Sequence, residues 1–394
     1  MLESFYQTHD YLVQNVRVPL RRKLMDEINW NDRLIAIKGG RGVGKTDFLL
    51  AHARELLDKD PNSARETLYI NFNNFYFTEH SLYELAGEFV KKGGKTLLLD
   101  QMFKYPNWSK ELRDCFFHYT TLHIVFSASP VMRLVEGNQD IGHIVRMYNL
   151  RGYSFREYLE LETQTKLPTF TFKEIMQNHE AIAAQVCSKV KPLYFFRSYL
   201  EHGYYPGCMD NRYYNEMMLK LMNMMIEIDI LLIKQIDVAY LSRIRQLLYL
   251  LMNEVPCALN ITKLADATET SRATMMNYIK SLKDGRLINL LYVEGKQFPM
   301  KPSRVYMQNP NLCYALQTRQ PSDQAVAETF FYNALHGIHK INACESATFI
   351  VDNKLRIDVL AKAHNRPGFR YTANMDIEIG KDKQIPLWLF GFLY

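Results

Sequence analysis

The sequence lacks the features that mark membrane, zinc-binding or disordered chains. No apolar run reaches the roughly 18 residues of a membrane-spanning helix. The six cysteines are scattered between 115 and 344 and none forms a CxxC pair, so a zinc site is not expected. There is no internal repeat, low-complexity tract or basic-then-apolar leader. We therefore expect a cytoplasmic protein that does not associate with a membrane and keeps its thiols reduced.

The composition is that of an ordinary globular protein. Its 394 residues are 47% hydrophobic and 23% charged, which predicts a sizeable core divided among several domains. The net charge of +6 is compatible with nucleic-acid binding but too small to indicate it.

One glycine-rich segment carries the clearest functional signal. It matches GxxxxGK[ST], the phosphate-binding loop, at every required position. An apolar strand at 34–37 runs into it, and a helix is expected from Asp47 to about Asp58, which is the context that this motif needs. Its residues, called the phosphate loop below, are Gly39, Gly40, Arg41, Gly42, Val43, Gly44, Lys45 and Thr46.

The residue types in this loop suit a nucleotide with its metal. Glycines let backbone N–H groups close around phosphate oxygens, and the N-terminus of the following helix favours negative charge. Lys45 can reach the β- and γ-phosphates, and the Thr46 hydroxyl can bind Mg²⁺. The sequence therefore predicts ATP or ADP as ligand and Mg²⁺ as cofactor.

Three further residues are expected to complete the site. Asp100 ends an apolar run, which is the Walker B position of a carboxylate that holds the metal through water. A hydrolase of this kind commonly has glutamate next, but this chain has Gln101, which can orient water and cannot accept a proton as general base. Ser127 or Ser129, at the end of the fourth strand, is the candidate sensor group. We thus predict catalytic roles for Lys45, Asp100, Gln101 and Ser127, with slow hydrolysis unless another residue supplies the base.

The fold class follows from the alternation of strands and helices. Apolar strands at 34–37, 67–72, 96–100 and 122–127 are separated by helical segments, which predicts an α/β core with a parallel sheet. From about 155 the pattern becomes helical, and the Met-rich stretch 217–233 is expected to be a buried helix.

A second motif follows the helical region. Helices at 261–267 and 271–282 precede two strands at 287–292 and 303–307, which is the order of a winged helix-turn-helix. Basic residues outnumber acidic ones here, and the second helix carries the residue types that contact DNA grooves and phosphates. The candidate DNA contacts are Arg272, Thr274, Asn277 and Lys280. The alternative is a module that makes only intramolecular or subunit contacts.

The chain resembles the prokaryotic AAA-family ATPases that end in a restriction-endonuclease-like domain, particularly those common in Bacteroidetes. The resemblance is carried by the phosphate loop and by segments 100–109, 152–158, 203–206 and 385–394. It implies a P-loop AAA-type core at 1–155, a helical lid at 156–238, a winged helix at 239–318 and a small α/β nuclease-like domain at 319–394.

Besides Gln101, the chain departs from this family at two places. The family tends to carry an arginine pair where this chain has the segment 140–144, although Arg146 and Arg151 are close enough to substitute. The family's nuclease site implies Glu328, Asp358 and Lys362 around one metal, but Thr348 stands where a bridging aspartate is usual. We therefore expect a vestigial nuclease site.

These observations leave three functions to weigh. The first is a slow ATPase or nucleotide-dependent switch that acts on DNA, on a protein partner or as a homo-oligomer. The second is an active ATP-dependent nuclease. The third is a scaffold that binds nucleotide only for stability.

Overall fold

The computed structural model describes residues 2–208, 213–315, 320–363 and 370–394. The chain divides into two compact units, Met1–Arg151 and Gly152–Tyr394, and each is described by itself. Within the described residues no helix is both long enough and apolar enough to cross a membrane. All six cysteines lie in this part of the chain and are free thiols.

The first unit is a parallel sheet flanked by helices. Its sheet has the order β2-β3-β4-β1-β5, and every pair is parallel. The predicted α/β class and parallel sheet are thus confirmed. In chain order the elements are α1 (Leu2–Asn15), α2 (Leu24–Glu27), β1 (Leu34–Lys38), α3 (Lys45–Lys59), β2 (Thr67–Asn71), α4 (Leu82–Lys91), β3 (Thr96–Asp100), α5 (Trp108–His118), β4 (His123–Ala128) and β5 (Arg146–Asn149).

Strands β1 to β4 form because each is a short, almost continuous apolar run, which is typical of a sheet covered on both faces. Strand β5 was not predicted, because three of its four residues are exposed and it has no apolar pattern. Parallel register brings the ends of neighbouring strands to one edge of the sheet. Asn71 pairs with Asp100, and Ile37 pairs with Ser127. The phosphate loop, Asp100 and Ser127 therefore meet at the carboxyl edge, where α/β proteins bind ligands.

The second unit begins with helices and ends with a mixed sheet. Its helices are α6 (Phe155–Thr163), α7 (Phe172–Cys187), α8 (Pro192–His202), α9 (Tyr214–Met224), α10 (Leu241–Glu254), α11 (Ile261–Ala267), α12 (Arg272–Asp284), α13 (Pro310–Tyr314) and α14 (Asp323–Leu335). Its strands are β6 (Ile288–Leu291), β7 (Arg304–Met307), β8 (Ile341–Asn342), β9 (Phe349–Val351), β10 (Leu355–Leu360), β11 (Tyr371–Asn374) and β12 (Gln384–Pro386).

The elements of the predicted helix-turn-helix segment occur close to their expected bounds. Ser271 caps α12 by accepting the Thr274 N–H at 3.1 Å, and β6 and β7 pair antiparallel. The Met-rich stretch departs from a plain helix, because α9 continues as a π-helix over Met225–Leu232. Its helical character is as predicted, but Leu219 and Leu232 are exposed.

One hydrophobic core joins both ends of the second unit. The sheet has the order β12-β11-β10-β9-β8, with β9 antiparallel to its neighbours. Phe155 and Phe196 of the first helices pack in the same core as Phe331 of α14 and Trp388 near the end of the chain. The predicted division at 155, 238 and 318 stays a prediction.

Candidate functional site

The backbone of the phosphate loop has a shape that only glycine adopts without strain. Gly42 and Gly44 have φ angles of 80° and 89°, in the left-handed region. Gly39 lies so close to the end of β5 that a Cβ atom there would stand 2.5 Å from the Leu150 carbonyl oxygen. The glycines thus let the chain turn tightly from β1 into α3.

Lys45 at the start of α3 holds this loop together. Its ammonium group donates to the carbonyl oxygens of Gly39 and Gly40, each at 2.8 Å. The cation therefore lies inside the concave loop where phosphate charge would be neutralised. A bound phosphate would compete with these carbonyls for the same three N–H donors.

Asp100 is the buried centre of the site, with 2% of its surface exposed. Its Oδ2 accepts from the Thr46 hydroxyl at 2.7 Å and from the Tyr69 hydroxyl at 2.9 Å. Its Oδ1 accepts from the Ser127 hydroxyl and from the Gln101 N–H. The phosphate loop, β2, β4 and the residue that follows β3 each contribute one contact, so the carboxylate connects the elements of the site.

Tyr69 was not found from the sequence. It lies within the apolar strand β2, is only 2% exposed, and its N–H is accepted by His9 Nδ1 at 3.0 Å. Burial, with a further contribution from Asp100, raises the pKa of the Tyr69 phenol, so it acts as a proton donor. A tyrosine in a strand ordinarily predicts packing, which is why its role could not be read from the pattern.

Gln101 has an unusual backbone. Its φ of 56° is left-handed, and its N–H donates to Asp100 Oδ1 at 2.9 Å and to Ser127 Oγ at 3.0 Å. The left-handed backbone thus directs the N–H of Gln101 toward the carboxylate of the preceding residue, Asp100. Ser127, one of the two candidate sensor serines, donates its hydroxyl to Asp100 Oδ1.

The segment 140–144, which stands where an arginine pair was expected, is held by contacts of Asp140. Asp140 accepts from the Ser109 hydroxyl and from Arg113, each at 2.7 Å. Arg146 is exposed on β5. A different arginine touches the loop, because Arg22 donates to the Val43 carbonyl oxygen at 3.3 Å and to that of Arg151 at 2.7 Å.

The donor set fits a magnesium nucleotide. Mg²⁺ prefers oxygen ligands and binds through one or two carboxylates together with substrate phosphates. The Thr46 hydroxyl and the buried Asp100 carboxylate supply such oxygens at the loop, and Lys45 supplies the positive charge for phosphate. The residues present therefore match the group that the loop implies.

The three predicted nuclease residues make separate contacts. Glu328 on α14 is buried and accepts from Tyr306 at 2.9 Å, Gln324 at 2.9 Å and Arg304 at 3.3 Å. Asp358 on β10 accepts the Thr348 N–H at 3.0 Å, and Lys362 is exposed. Among the described residues no group of three or more His, Cys, Asp or Glu is placed to hold a metal ion.

The predicted DNA contacts lie on α12. Arg272, Asn277 and Lys280 are exposed, whereas Thr274 is half-buried and pairs with the Ser271 hydroxyl at 2.9 Å. The Lys280 ammonium lies 4.7 Å from the centroid of the Phe298 ring, in the connection between β6 and β7. The helix and this connection thus share a surface that carries positive charge.

Comparison with known proteins shows what part of this chain is similar to. Residues 31–159 match the family model described as an AAA domain. An uncharacterized protein of Methanocaldococcus jannaschii, MJ1637, is 25% identical over 294 residues. That match covers 70% of this chain and 60% of the relative, so the chain spans less than two thirds of the relative's length.

Similar solved structures include DnaA from Aquifex aeolicus bound to AMPPCP and the ORC2 protein of Aeropyrum pernix in ADPNP-ADP complexes. The first is 15% identical with a TM-score of 0.25, covering 72% of this chain and 87% of that one. The second is 14% identical with a TM-score of 0.37, covering 81% of this chain and 91% of that one. Scores this low carry no functional information. The phosphate loop, Asp100 and Ser127 all lie within the residues that match the AAA domain model.

Proposed function

We propose that this protein binds Mg²⁺-ATP at the phosphate loop and is a slow ATPase or nucleotide-dependent switch that acts on DNA or on a protein partner. The observation that carries the proposal is the hydrogen bond between Thr46 and Asp100, 2.7 Å long. It joins the hydroxyl at the end of the phosphate loop to the buried carboxylate at the end of β3. A magnesium nucleotide bound at the loop needs this pair of oxygens.

Slow turnover is proposed because of Gln101. A general base commonly contributes about 10² to 10⁴ in rate, and an amide side chain cannot take the proton. The backbone of Gln101 is already committed to Asp100 and Ser127, so the residue holds the site's shape while its side chain lacks the chemistry of glutamate.

Comparing the ATP turnover of the native chain with that of Gln101→Glu tests this proposal. We expect the variant to hydrolyse ATP at least about tenfold faster, because it restores a group that can accept the proton of the attacking water. ADP affinity should stay within about twofold, since the phosphate loop is unchanged. Equal turnover in the two proteins would contradict a slowed switch and place the base elsewhere.

DNA is the partner that the exposed face of α12 favours. Arg272, Asn277 and Lys280 are available to solvent, and their spacing suits backbone and groove contacts in a winged helix. Cleavage of that DNA is not expected. The Glu328 carboxylate is occupied by Tyr306, Gln324 and Arg304, and Thr348 replaces a metal ligand. The nuclease-like domain is therefore proposed as a structural or DNA-contacting module.

A further inference from the structure

The acceptor sites of Asp100 are all in use. An ionised carboxylate has about four lone-pair positions. Thr46 and Tyr69 donate to Oδ2, and Ser127 and the Gln101 N–H donate to Oδ1. Three of these donors, Thr46, Gln101 and Ser127, were predicted from the sequence to belong to the nucleotide site. The fourth donor, Tyr69, was not.

Tyr69 is held from both sides. On one side its hydroxyl reaches Asp100 at 2.9 Å, the carboxylate one strand away. On the other, α1 covers the free edge of β2, and His9 Nδ1 accepts the Tyr69 N–H that no strand pairs with. The residue is 2% exposed. The buried phenol thus donates to Asp100 Oδ2, and the Asn71 side chain is its second hydrogen-bond partner.

We propose that Tyr69 is a positioning residue of the nucleotide site, which fixes the Asp100 carboxylate so that Oδ2 faces the Thr46 hydroxyl. This inference rests on the proposed function and names a residue that gives the site its metal dependence. Tyr69 and Thr46 share Oδ2, and two donors at set positions define the rotation of the carboxylate about its side-chain bond. With the phenol removed, Oδ2 keeps a buried lone pair without a donor, and only Thr46 still fixes that oxygen while Ser127 and the Gln101 N–H hold Oδ1, so the carboxylate is positioned less firmly.

Loss of the Tyr69 hydroxyl is expected to change only the affinity of the site for Mg²⁺. Groups that orient a metal ligand typically contribute about 10- to 100-fold to metal affinity. The hydrogen bonds of Tyr69 are with Asp100, Asn71 and His9, whereas the loop backbone and Lys45 would hold the phosphate. Loss of its hydroxyl should therefore weaken the Mg²⁺-dependent part of nucleotide binding and leave the metal-free part unchanged.

The test is equilibrium titration of the full chain with a fluorescent ADP analogue, in excess EDTA and across a Mg²⁺ series. We expect Tyr69→Phe to bind the analogue in EDTA within about twofold of the native affinity. The Mg²⁺ concentration that gives half of the metal-dependent gain should rise about tenfold or more. Tyr69→Leu, which also lacks the hydroxyl, replaces the first variant if that one does not fold.

Tyr105→Phe is the matched control. Tyr105 is also a buried phenol that donates to a carboxylate, at 2.7 Å, but its partner is Glu111 outside the site. It should retain the native Mg²⁺ dependence. The inference fails if Tyr69→Phe shows the native Mg²⁺ dependence, or if Tyr69→Phe and Tyr105→Phe shift it equally. A native chain that does not bind the analogue at all would overturn the proposed function as well.

Discussion

At the scale of single residues, the site depends on groups far apart in the chain that meet at one carboxylate. The sequence pointed to Thr46, Asp100, Gln101 and Ser127 because motif spacing and strand ends mark such positions. It could not point to Tyr69. The contact between Tyr69 and Asp100 depends on strand order, and β2 and β3 are neighbours only in the folded sheet.

His52 on α3 gives a prediction about pH. Its ring stacks on Trp30 with centroids 3.6 Å apart, and burial, with the charge of Lys59, lowers its pKa from 6.5 to about 4. Between these two values the unfolded chain binds a proton that the folded chain does not. The contribution of His52 to stability is therefore complete above pH 6.5 and is lost as the pH falls toward 4.

His52→Phe keeps an aromatic ring against Trp30 but removes the titration. We expect the native chain to lose up to about 2 kcal/mol more stability than this variant between pH 7 and pH 5. The measurement is the Tm of both proteins at the two pH values. An equal fall in Tm would mean that His52 does not contribute to the acid sensitivity.

At the scale of elements, α12 was well predicted because its signals are local. The predicted helix begins at 271, and the Ser271 side chain caps α12 by accepting the Thr274 N–H. What the pattern could not supply was the environment of each side chain. Thr274, a candidate DNA contact, is half-buried and its hydroxyl pairs with that of Ser271. Lys280 lies beside the ring of Phe298, which is distant from it in the sequence.

Lys280, an exposed cation on α12, provides a test of the proposed DNA interaction. Lys280→Ala should weaken binding to duplex DNA of any sequence, because a lysine that contacts phosphate acts through charge. The slope of log K against log salt should fall by about 1. Fluorescence anisotropy over a salt series measures both, with Lys263→Ala on α11 as an exposed control. An unchanged slope would remove Lys280 from the interface.

At the scale of the whole molecule, the second unit has a hydrophobic core that its successive segments share. Its core includes side chains from the predicted lid, the hairpin and the nuclease-like segment, among them Phe155, Tyr306 and Trp388. The sequence suggested separable modules because each segment has its own local pattern. Residues that pack together although they lie about 230 positions apart produce no local sequence pattern. The common core could therefore not be predicted from the sequence.

Gly391 tests that common core. A Cβ atom there would stand 2.5 Å from Phe155 Cβ and 3.2 Å from Phe330 Cζ. We expect Gly391→Ala to destabilise the second unit by about 1–3 kcal/mol through overpacking. Gly207→Ala is the matched control, because a Cβ atom at Gly207 meets no atom of the described residues within 4 Å. Thermal unfolding measures both, and equal Tm values for the two variants would contradict the packing of Gly391 against α6.

The central claim is that the phosphate loop binds a magnesium nucleotide, and calorimetric titration with ADP and ATP in Mg²⁺ tests it most directly. The Lys45 side chain combines positive charge with two contacts inside the loop, to Gly39 and Gly40. We predict saturable binding to the native chain and a loss of about 100-fold or more in affinity for Lys45→Ala, consistent with a charge-assisted contact to phosphate. No heat of binding with the native chain, or the same affinity in both proteins, would contradict the claim.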